Sequence, residues 1–253
     1  MSVIGNIRWT MIRHTGSRGG INRRFTTGAP FKQVHGAASE ARSPVYELRT
    51  YTIYADKMRE YLDLTAKEFH LRTSHSKLTG FWTSEIGGLN QAVHIWEYGS
   101  LSERADVRAR LAADSEWLGR YVSRMAPSLQ CQDNALLTLL PGRQINLPMN
   151  KGVYELQTLY LRGASAVWSK ALLSWVQACE AASKAEGSMA VGVWGSVLGA
   201  REMAVILWQH PGPDGCLALA DAAATLSEGE TLASLVTSSH SKLLLPHAVS
   251  PMQ

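Results

Sequence analysis

The first 39 residues contain no aspartate or glutamate, and this absence shapes the charge of the whole chain. Six basic residues lie there, whereas the 253-residue chain has a formal net charge of +4, so the rest carries a net charge of −2. A weakly acidic body lacks the basic surface that binds phosphate backbones, which excludes nucleic acid as an expected partner. The six basic residues are Arg8, Arg13, Arg18, Arg23, Arg24 and Lys32.

Cysteines and long apolar runs are also scarce. Cys131, Cys179 and Cys216 are odd in number and form no CxxC pair, which argues against a disulfide framework and a structural zinc site and favours a reducing compartment. No apolar run reaches the roughly 18 residues of a transmembrane helix. Glycine-rich phosphate loops, HExxH and GxSxG are missing as well, so the sequence predicts no cofactor, no metal site and no catalytic residue.

Residues 1–43 have the composition of a mitochondrial targeting presequence and linker, which we expect to be disordered. Arginines recur among scattered serines and threonines, and the apolar core of a secretory signal is missing. Arg23-Arg24-Phe25 before Thr26 resembles a matrix-peptidase cleavage site. The alternative is a basic tail without a targeting role. Targeting predicts residence in the mitochondrion, chiefly the matrix, with the cytosol as a second location.

The remainder of the chain is organised around a stretch that occurs twice. VYELRTY at 45–51 returns as VYELQTL at 153–159, which is 108 positions later. GFW at 80–82 returns as GVW at 192–194, and AVHIW at 92–96 as AVILW at 204–208, both 112 positions later. Three matches in the same order predict a duplicated domain, with repeats at 44–142 and 152–253.

Hydrophobic periodicity predicts the order β-α-β-β-α-β in each repeat, which is a ferredoxin-like α+β fold. The predicted strands of the first repeat are 45–53, 81–86, 91–98 and 135–140. Those of the second are 153–161, 190–196 and 203–210, followed by helical stretches to about residue 244 and a degraded strand near 247–250. We expect the two sheets to pack face to face as an α/β barrel within one chain, or between chains of a homodimer.

One face of the third strand supplies the candidate site. His94, Trp96 and Tyr98 alternate along it, and Trp208 repeats Trp96 in the second half. Because tryptophans are costly to leave in water, we expect this face to turn away from the helices and, with Trp82, to line the barrel. His94 is the candidate acid, base or haem ligand. No partner acid recurs at a fixed spacing from it, which favours a structural histidine in a core.

Together, the doubled VYELRTY-like strand, the GFW strand and the HIWEY strand after a basic presequence resemble the NipSnap family, and within it the homologue 3 type of vertebrates. The resemblance covers about residues 44–250 and is looser in the second repeat. It implies a dimeric α/β-barrel fold and mitochondrial residence. For some members it implies a role in mitophagy through autophagy adaptors, and a role in vesicle trafficking has also been proposed. It implies no established set of catalytic residues.

Three functional hypotheses follow. The favoured one is a non-enzymatic mitochondrial protein that binds other proteins, including further copies of itself. The second is a small-ligand carrier or monooxygenase-like enzyme with a cavity near His94, and the third is a cytosolic trafficking adaptor. A cavity of roughly 300 Å³ or more that exposes His94 would support the second hypothesis. A barrel filled by tryptophans would support the first.

Overall fold

The strands of the chain form one closed antiparallel barrel. The computed structural model describes residues 43–148 and 150–253, so residues 1–42 of the predicted presequence and linker lie outside the described residues. The strands are β1 (Val45–Ile53), β2 (Lys77–Ile86), β3 (Gln91–Tyr98), β4 (Leu129–Leu139), β5 (Val153–Leu161), β6 (Met189–Leu198), β7 (Met203–His210) and β8 (Val236–Pro246). Their order around the barrel is β1-β3-β2-β8-β5-β7-β6-β4.

Helices connect the strands within each half. They are α1 (Met58–Glu68), α2 (His70–Thr73), α3 (Leu101–Ala113), α4 (Ser123–Met125), α5 (Ser165–Ala182), α6 (Asp214–Ala224) and α7 (Ser227–Leu235), with a π-helical segment at Trp117–Val122 and 3-10 turns at Ala55–Lys57 and Ala126–Ser128. In the part of the chain that the structure describes, none of the helices is both long and apolar enough to cross a bilayer. The predicted α+β barrel fold is confirmed.

The fourth strand of the second half differs from its prediction. The sequence predicts it near 247–250, whereas β8 runs from Val236 to Pro246 and begins where the sequence predicts a helix. The residues Thr237–Ser241 are polar and exposed, so they give no period-2 signal. β8 pairs with β5 on one side and with β2 on the other. It is therefore the strand that closes this side of the barrel.

The barrel interior is filled by side chains from all eight strands, together with Met252. Trp82 and Trp194 are both fully buried there. Each ring lies over a glycine two residues earlier, because a Cβ at Gly80 or Gly192 would overlap the indole of the following tryptophan. The two Gly-x-Trp motifs found in the sequence thus place two large rings inside the barrel.

Two further cores lie between the barrel and its helices. One joins the outer faces of β1, β2 and β3 to α1, α3 and the π-helical segment. The other joins β5, β6 and β7 to α5, α6 and α7. The strands are consequently apolar on both faces, as in a sheet covered on both sides.

Candidate functional site

Four of the five predicted cavity-lining residues lie outside the barrel interior. Trp96 and Tyr98 belong to the core beneath the helices of the first half, with His94 beside them, and Trp208 belongs to the corresponding core of the second half. Trp82 is the member of the set that faces the interior. The structure corrects the expectation that the face of His94, Trp96 and Tyr98 lines the barrel. Alternation along a strand separates its two faces, but when both faces are apolar the alternation does not show which face the helices cover.

His94 is enclosed by aromatic rings. It stacks on Phe81 with 5.3 Å between ring centroids and an interplanar angle of 4°, and Tyr51 meets it edge-on. The Trp96 indole Nε1 donates a 2.7 Å hydrogen bond to His94 Nδ1. Burial lowers the pKa of His94 well below 6.5, and the charges of Arg49 and Arg72 lower it further, so the imidazole is neutral at pH 7.

The first half buries a carboxylate that the sequence analysis did not select. Glu47, on the outer face of β1, is 1% exposed. Its carboxylate accepts hydrogen bonds from Arg49 at 2.9 Å, from both Nε and Nη2 of Arg104 at 3.0 and 2.7 Å, and from Asn134 at 2.7 Å. Burial by itself raises the pKa of Glu47, but the hydrogen bond from Arg104, the charge of Arg49 and the hydrogen bond from Asn134 outweigh it and lower the pKa to about 2.

A third arginine extends this cluster toward His94. Arg72 donates a 2.9 Å hydrogen bond to the Tyr98 hydroxyl, which in turn donates to Glu47 at 3.3 Å. The Arg72 guanidinium also lies 3.8 Å from the centroid of the Trp96 ring, a cation–π contact. Three guanidinium groups therefore surround one carboxylate, and the chain of contacts ends at the neutral His94.

A small cavity opens beside Glu47. Its volume is about 160 Å³, below the roughly 300–1,000 Å³ of typical small-molecule sites. Its walls combine polar and apolar side chains: Glu47, Leu101, Arg104, Asn134, Leu136, Leu198 and Gly199. This opening exposes part of the Glu47–Arg104 pair, whereas the His94 ring is packed against Phe81, Tyr51 and Trp96.

The second half places a different set of side chains at the corresponding position. Glu155 pairs across the sheet with Trp208, as Glu47 does with Trp96. Gln157 donates to Glu155 at 3.0 Å and accepts from the Trp208 indole at 2.9 Å. The Nε2 atom of His210 lies 3.5 Å from the Glu155 carboxylate. One ligand atom from each of Glu155, His210 and Cys216 lies within 4.8 Å of the others.

Comparison with known proteins gives the family. The NIPSNAP family model matches residues 46–142. Protein NipSnap homolog 3A of Homo sapiens is 32% identical over 215 residues, which cover 82% of this chain and 85% of that protein. Protein NipSnap homolog 3B of Mus musculus is 34% identical over 177 residues, covering 69% and 70%. The chain belongs to the NipSnap family. The predicted resemblance, including the homologue 3 type, is confirmed.

Two solved structures superpose on the barrel of this NipSnap chain. A putative monooxygenase from Fusobacterium nucleatum superposes with a TM-score of 0.60 over 83% of this chain and 98% of its own, at 8% sequence identity. A putative monooxygenase from Lactobacillus acidophilus gives a TM-score of 0.56 over 81% of this chain and 95% of its own, at 14% identity. At these identities the likeness shows the barrel fold alone.

Sequence analysis did not select Glu47, Arg49, Arg104 or Cys216 of this NipSnap chain. Glu47 and Arg49 lie two apart in the VYELRTY strand, where they read as ordinary outward-facing polar positions. Arg104 and Cys216 are each six residues beyond the last residue of a third strand, an equivalence that the 112-residue offset already contained. The 112-residue offset thus relates the helices that follow the third strands as well as the strands themselves, and this relation is the signal that points to Arg104 and Cys216.

Proposed function

We propose that this NipSnap protein acts in the mitochondrion by binding other proteins, with mitochondrial quality control through autophagy adaptors as its role and vesicle trafficking as the alternative. Support comes first from the barrel itself. Trp82 and Trp194 occupy its interior with side chains from every strand, and His94 faces the helix layer. A filled barrel directs function to the outer surface of the molecule.

The observation that carries the proposal is an exposed strand edge on β8. Val236–Leu244 pair with β5, whereas the described pairing with β2 covers only Leu243–Pro246. The residues Thr237–Ser241 are exposed. Within the described part of the chain, one side of this stretch consequently faces no strand. Unpaired backbone groups of this kind accept an extended segment from another protein, which adds a strand to the sheet.

The chemistry of this edge favours pairing. Natural edge strands are commonly protected by charged residues or proline. The stretch Thr237–Ser241 reads TSSHS, with neither lysine nor acid nor proline. The comparable stretch of β4, Gln130–Asn134, contains Asp133 and is also exposed. We therefore propose that the partner binds at the β8 edge. The segment that binds there is an extended, uncharged stretch of the partner protein.

A site-specific photo-crosslinker tests this assignment in mitochondria. Placed at Ser239, it should capture a partner, and the captured partner should include an autophagy adaptor when the mitochondria are depolarised. Placed at Glu116, an exposed residue beside the π-helical segment, it should capture none of the same proteins. Equal capture at both positions, or capture of a second copy of this chain alone, would show that the proposed occupant is incorrect.

Two adjacent proline substitutions separate binding from folding. Successive N–H groups of a strand point to opposite sides, so one of Ser239→Pro and His240→Pro removes a hydrogen bond to β5 and the other removes an outward-facing donor. One variant should lose stability. The other should keep the melting temperature of the parent chain and lose the partner. If the stable variant still captures the partner, strand addition at β8 is ruled out.

The mitochondrial location has a test of its own. A chain without residues 1–42 keeps every described strand and helix, so it should fold and remain in the cytosol, whereas the full chain should be protected from protease inside mitochondria. Replacing Arg8, Arg13, Arg18, Arg23 and Arg24 with glutamine should have the same effect on import. Protease protection of the truncated chain would contradict the targeting interpretation.

A further inference from the structure

The two halves of the barrel neutralise a buried glutamate in different ways. In the first half, Glu47 is surrounded by Arg49, Arg104 and the Tyr98 hydroxyl. The 108- and 112-residue offsets of the repeat replace these three side chains with Gln157, Cys216 and His210. Both arginines are thereby lost, while the carboxylate itself is retained as Glu155 and stays 8% exposed.

Glu155 therefore lacks the cation that its counterpart has. Among the described residues, the basic side chain at Glu155 is His210, whose Nε2 lies 3.5 Å from the carboxylate and which is a cation only when protonated. The amide of Gln157 and the hydroxyl of Ser241, which also donate to Glu155, are neutral. A buried carboxylate is costly unless a positive charge or a metal ion compensates it. The second half offers three metal-ligand types at this position: a carboxylate, an imidazole and a thiol.

The geometry brings these three groups together. Their ligand atoms lie within 4.8 Å of one another, and small side-chain rotations place such atoms around one ion. His210 is fully buried, and its Nε2 faces the Glu155 carboxylate at 3.5 Å without forming a hydrogen bond to any described residue. Gly215 permits this approach, since a Cβ there would contact the His210 ring. Cys216 follows it in the first turn of α6.

The opposite edge of the imidazole is already fixed. His210 Nδ1 and the Ser188 hydroxyl lie 2.8 Å apart, both buried. When Nδ1 donates its proton to Ser188, the lone pair of Nε2 points toward Glu155. Metal-bound histidines are oriented in this way by a hydrogen bond at the other ring nitrogen.

We propose that Glu155, His210 and Cys216 bind one divalent transition-metal ion with the preferences of Zn²⁺. Borderline ions of this type accept carboxylate, imidazole and thiolate together. Binding releases the Cys216 proton to solvent, because the thiolate is the ligand. Three protein ligands leave a fourth tetrahedral position for water. The first half, where Arg104 and Tyr98 hold the corresponding positions, binds no ion in this proposal.

Cobalt substitution tests the site on the full chain. After treatment with a chelator, the protein is titrated with Co²⁺, whose bond to a thiolate gives a charge-transfer absorption, and zinc content is measured separately by mass spectrometry. We expect one equivalent of either ion per chain. Cys216→Ser should abolish the cobalt–thiolate absorption, while Cys131→Ser, a change at the exposed cysteine, should leave it unchanged.

Further variants distinguish the loss of metal binding from the loss of the fold. Ser188→Ala should weaken zinc binding roughly 10–100-fold without removing a ligand. Zn²⁺ should raise the melting temperature of the parent chain and of Cys131→Ser, but not that of Cys216→Ser measured in the same buffer. A folded parent chain without the cobalt–thiolate absorption, or the same absorption in Cys216→Ser, would overturn the proposal and leave a histidine–glutamate pair.

Discussion

Arg104 donates two hydrogen bonds to Glu47, from Nε to Oε2 at 3.0 Å and from Nη2 to Oε1 at 2.7 Å. The glutamate side chain is 1% exposed and that of the arginine 23%. This two-point contact connects the first turn of α3 to the beginning of β1. Because the carboxylate is buried and the guanidinium reaches the surface, the two partners are expected to respond differently to substitution.

Glu47→Gln should destabilise the folded chain by about 3–5 kcal/mol, because it leaves the charges of Arg49 and Arg104 without their buried partner. Chemical denaturation of the two proteins measures the difference. The matched control is Glu60→Gln, in an exposed pair with Lys57, which should leave the free energy of unfolding nearly unchanged. Equal effects of the two substitutions would show that the buried cluster does not stabilise the fold.

Stability should fall between pH 4.5 and about 2 through protonation of Glu47. Its pKa is lowered from 4.5 to about 2 in the folded chain, so the charged form is favoured by folding. This contribution is present above the unfolded pKa and is lost as the pH falls through the folded pKa, by about 3 kcal/mol. Glu47→Gln should therefore unfold with a weaker dependence on pH over this interval. Parallel curves for both proteins would contradict the assignment.

Gly80→Ala should destabilise the barrel by roughly 1–3 kcal/mol, because the added methyl overlaps the ring of Trp82. Adding Trp82→Phe, which shortens the ring, should make the combined loss smaller than the sum of the two separate losses. Thermal unfolding of the single and double variants measures this coupling. Gly212→Ala serves as a control, since a Cβ there meets nothing within 4 Å. If the effects of Gly80→Ala and Trp82→Phe are additive, the Trp82 ring does not lie over Gly80.

His94→Ile should cost about 1–3 kcal/mol, because the Trp96 indole loses its acceptor in a buried site. The second half has Ile206 at this position, but there the Trp208 indole donates to Gln157. Arg49→Gln, made together with His94→Ile, should provide the same acceptor, so the two changes should be less than additive. Denaturation of the parent chain, the two single variants and the double variant measures the coupling. If the double variant loses as much stability as the two single variants together, the glutamine introduced at position 49 does not accept the hydrogen bond of the Trp96 indole.

The sequence predicted the strands that are buried on both faces. The bounds of β1, β3, β5 and β7 match their predictions residue for residue. These strands are rich in β-branched and aromatic residues, and each is flanked by another strand on both sides, so propensity and burial act together. The repeat boundaries at 44–142 and 152–253 stay a prediction.

The remaining features depend on long-range contacts. Nothing local distinguishes the face of β3 that carries Val93 from the face that carries Trp96, because both are buried. The arginines of the Glu47 cluster come from α2, β1 and α3, and their convergence requires the assembled barrel. Glu155, His210 and Cys216 likewise meet only when β5, β7 and α6 pack together. Single-sequence patterns carry no distance between such elements.

The position of β8 has a consequence for the order of events during synthesis. Of the described strands it is the last to be translated, and it lies between β2 and β5. Until it emerges, both of these strands have an edge without a neighbour, and the nascent chain resembles an open sheet. Such edges attract chaperones and other nascent chains. A premature stop codon before residue 236 would therefore produce an aggregation-prone polypeptide, and the cell would clear it as misfolded protein.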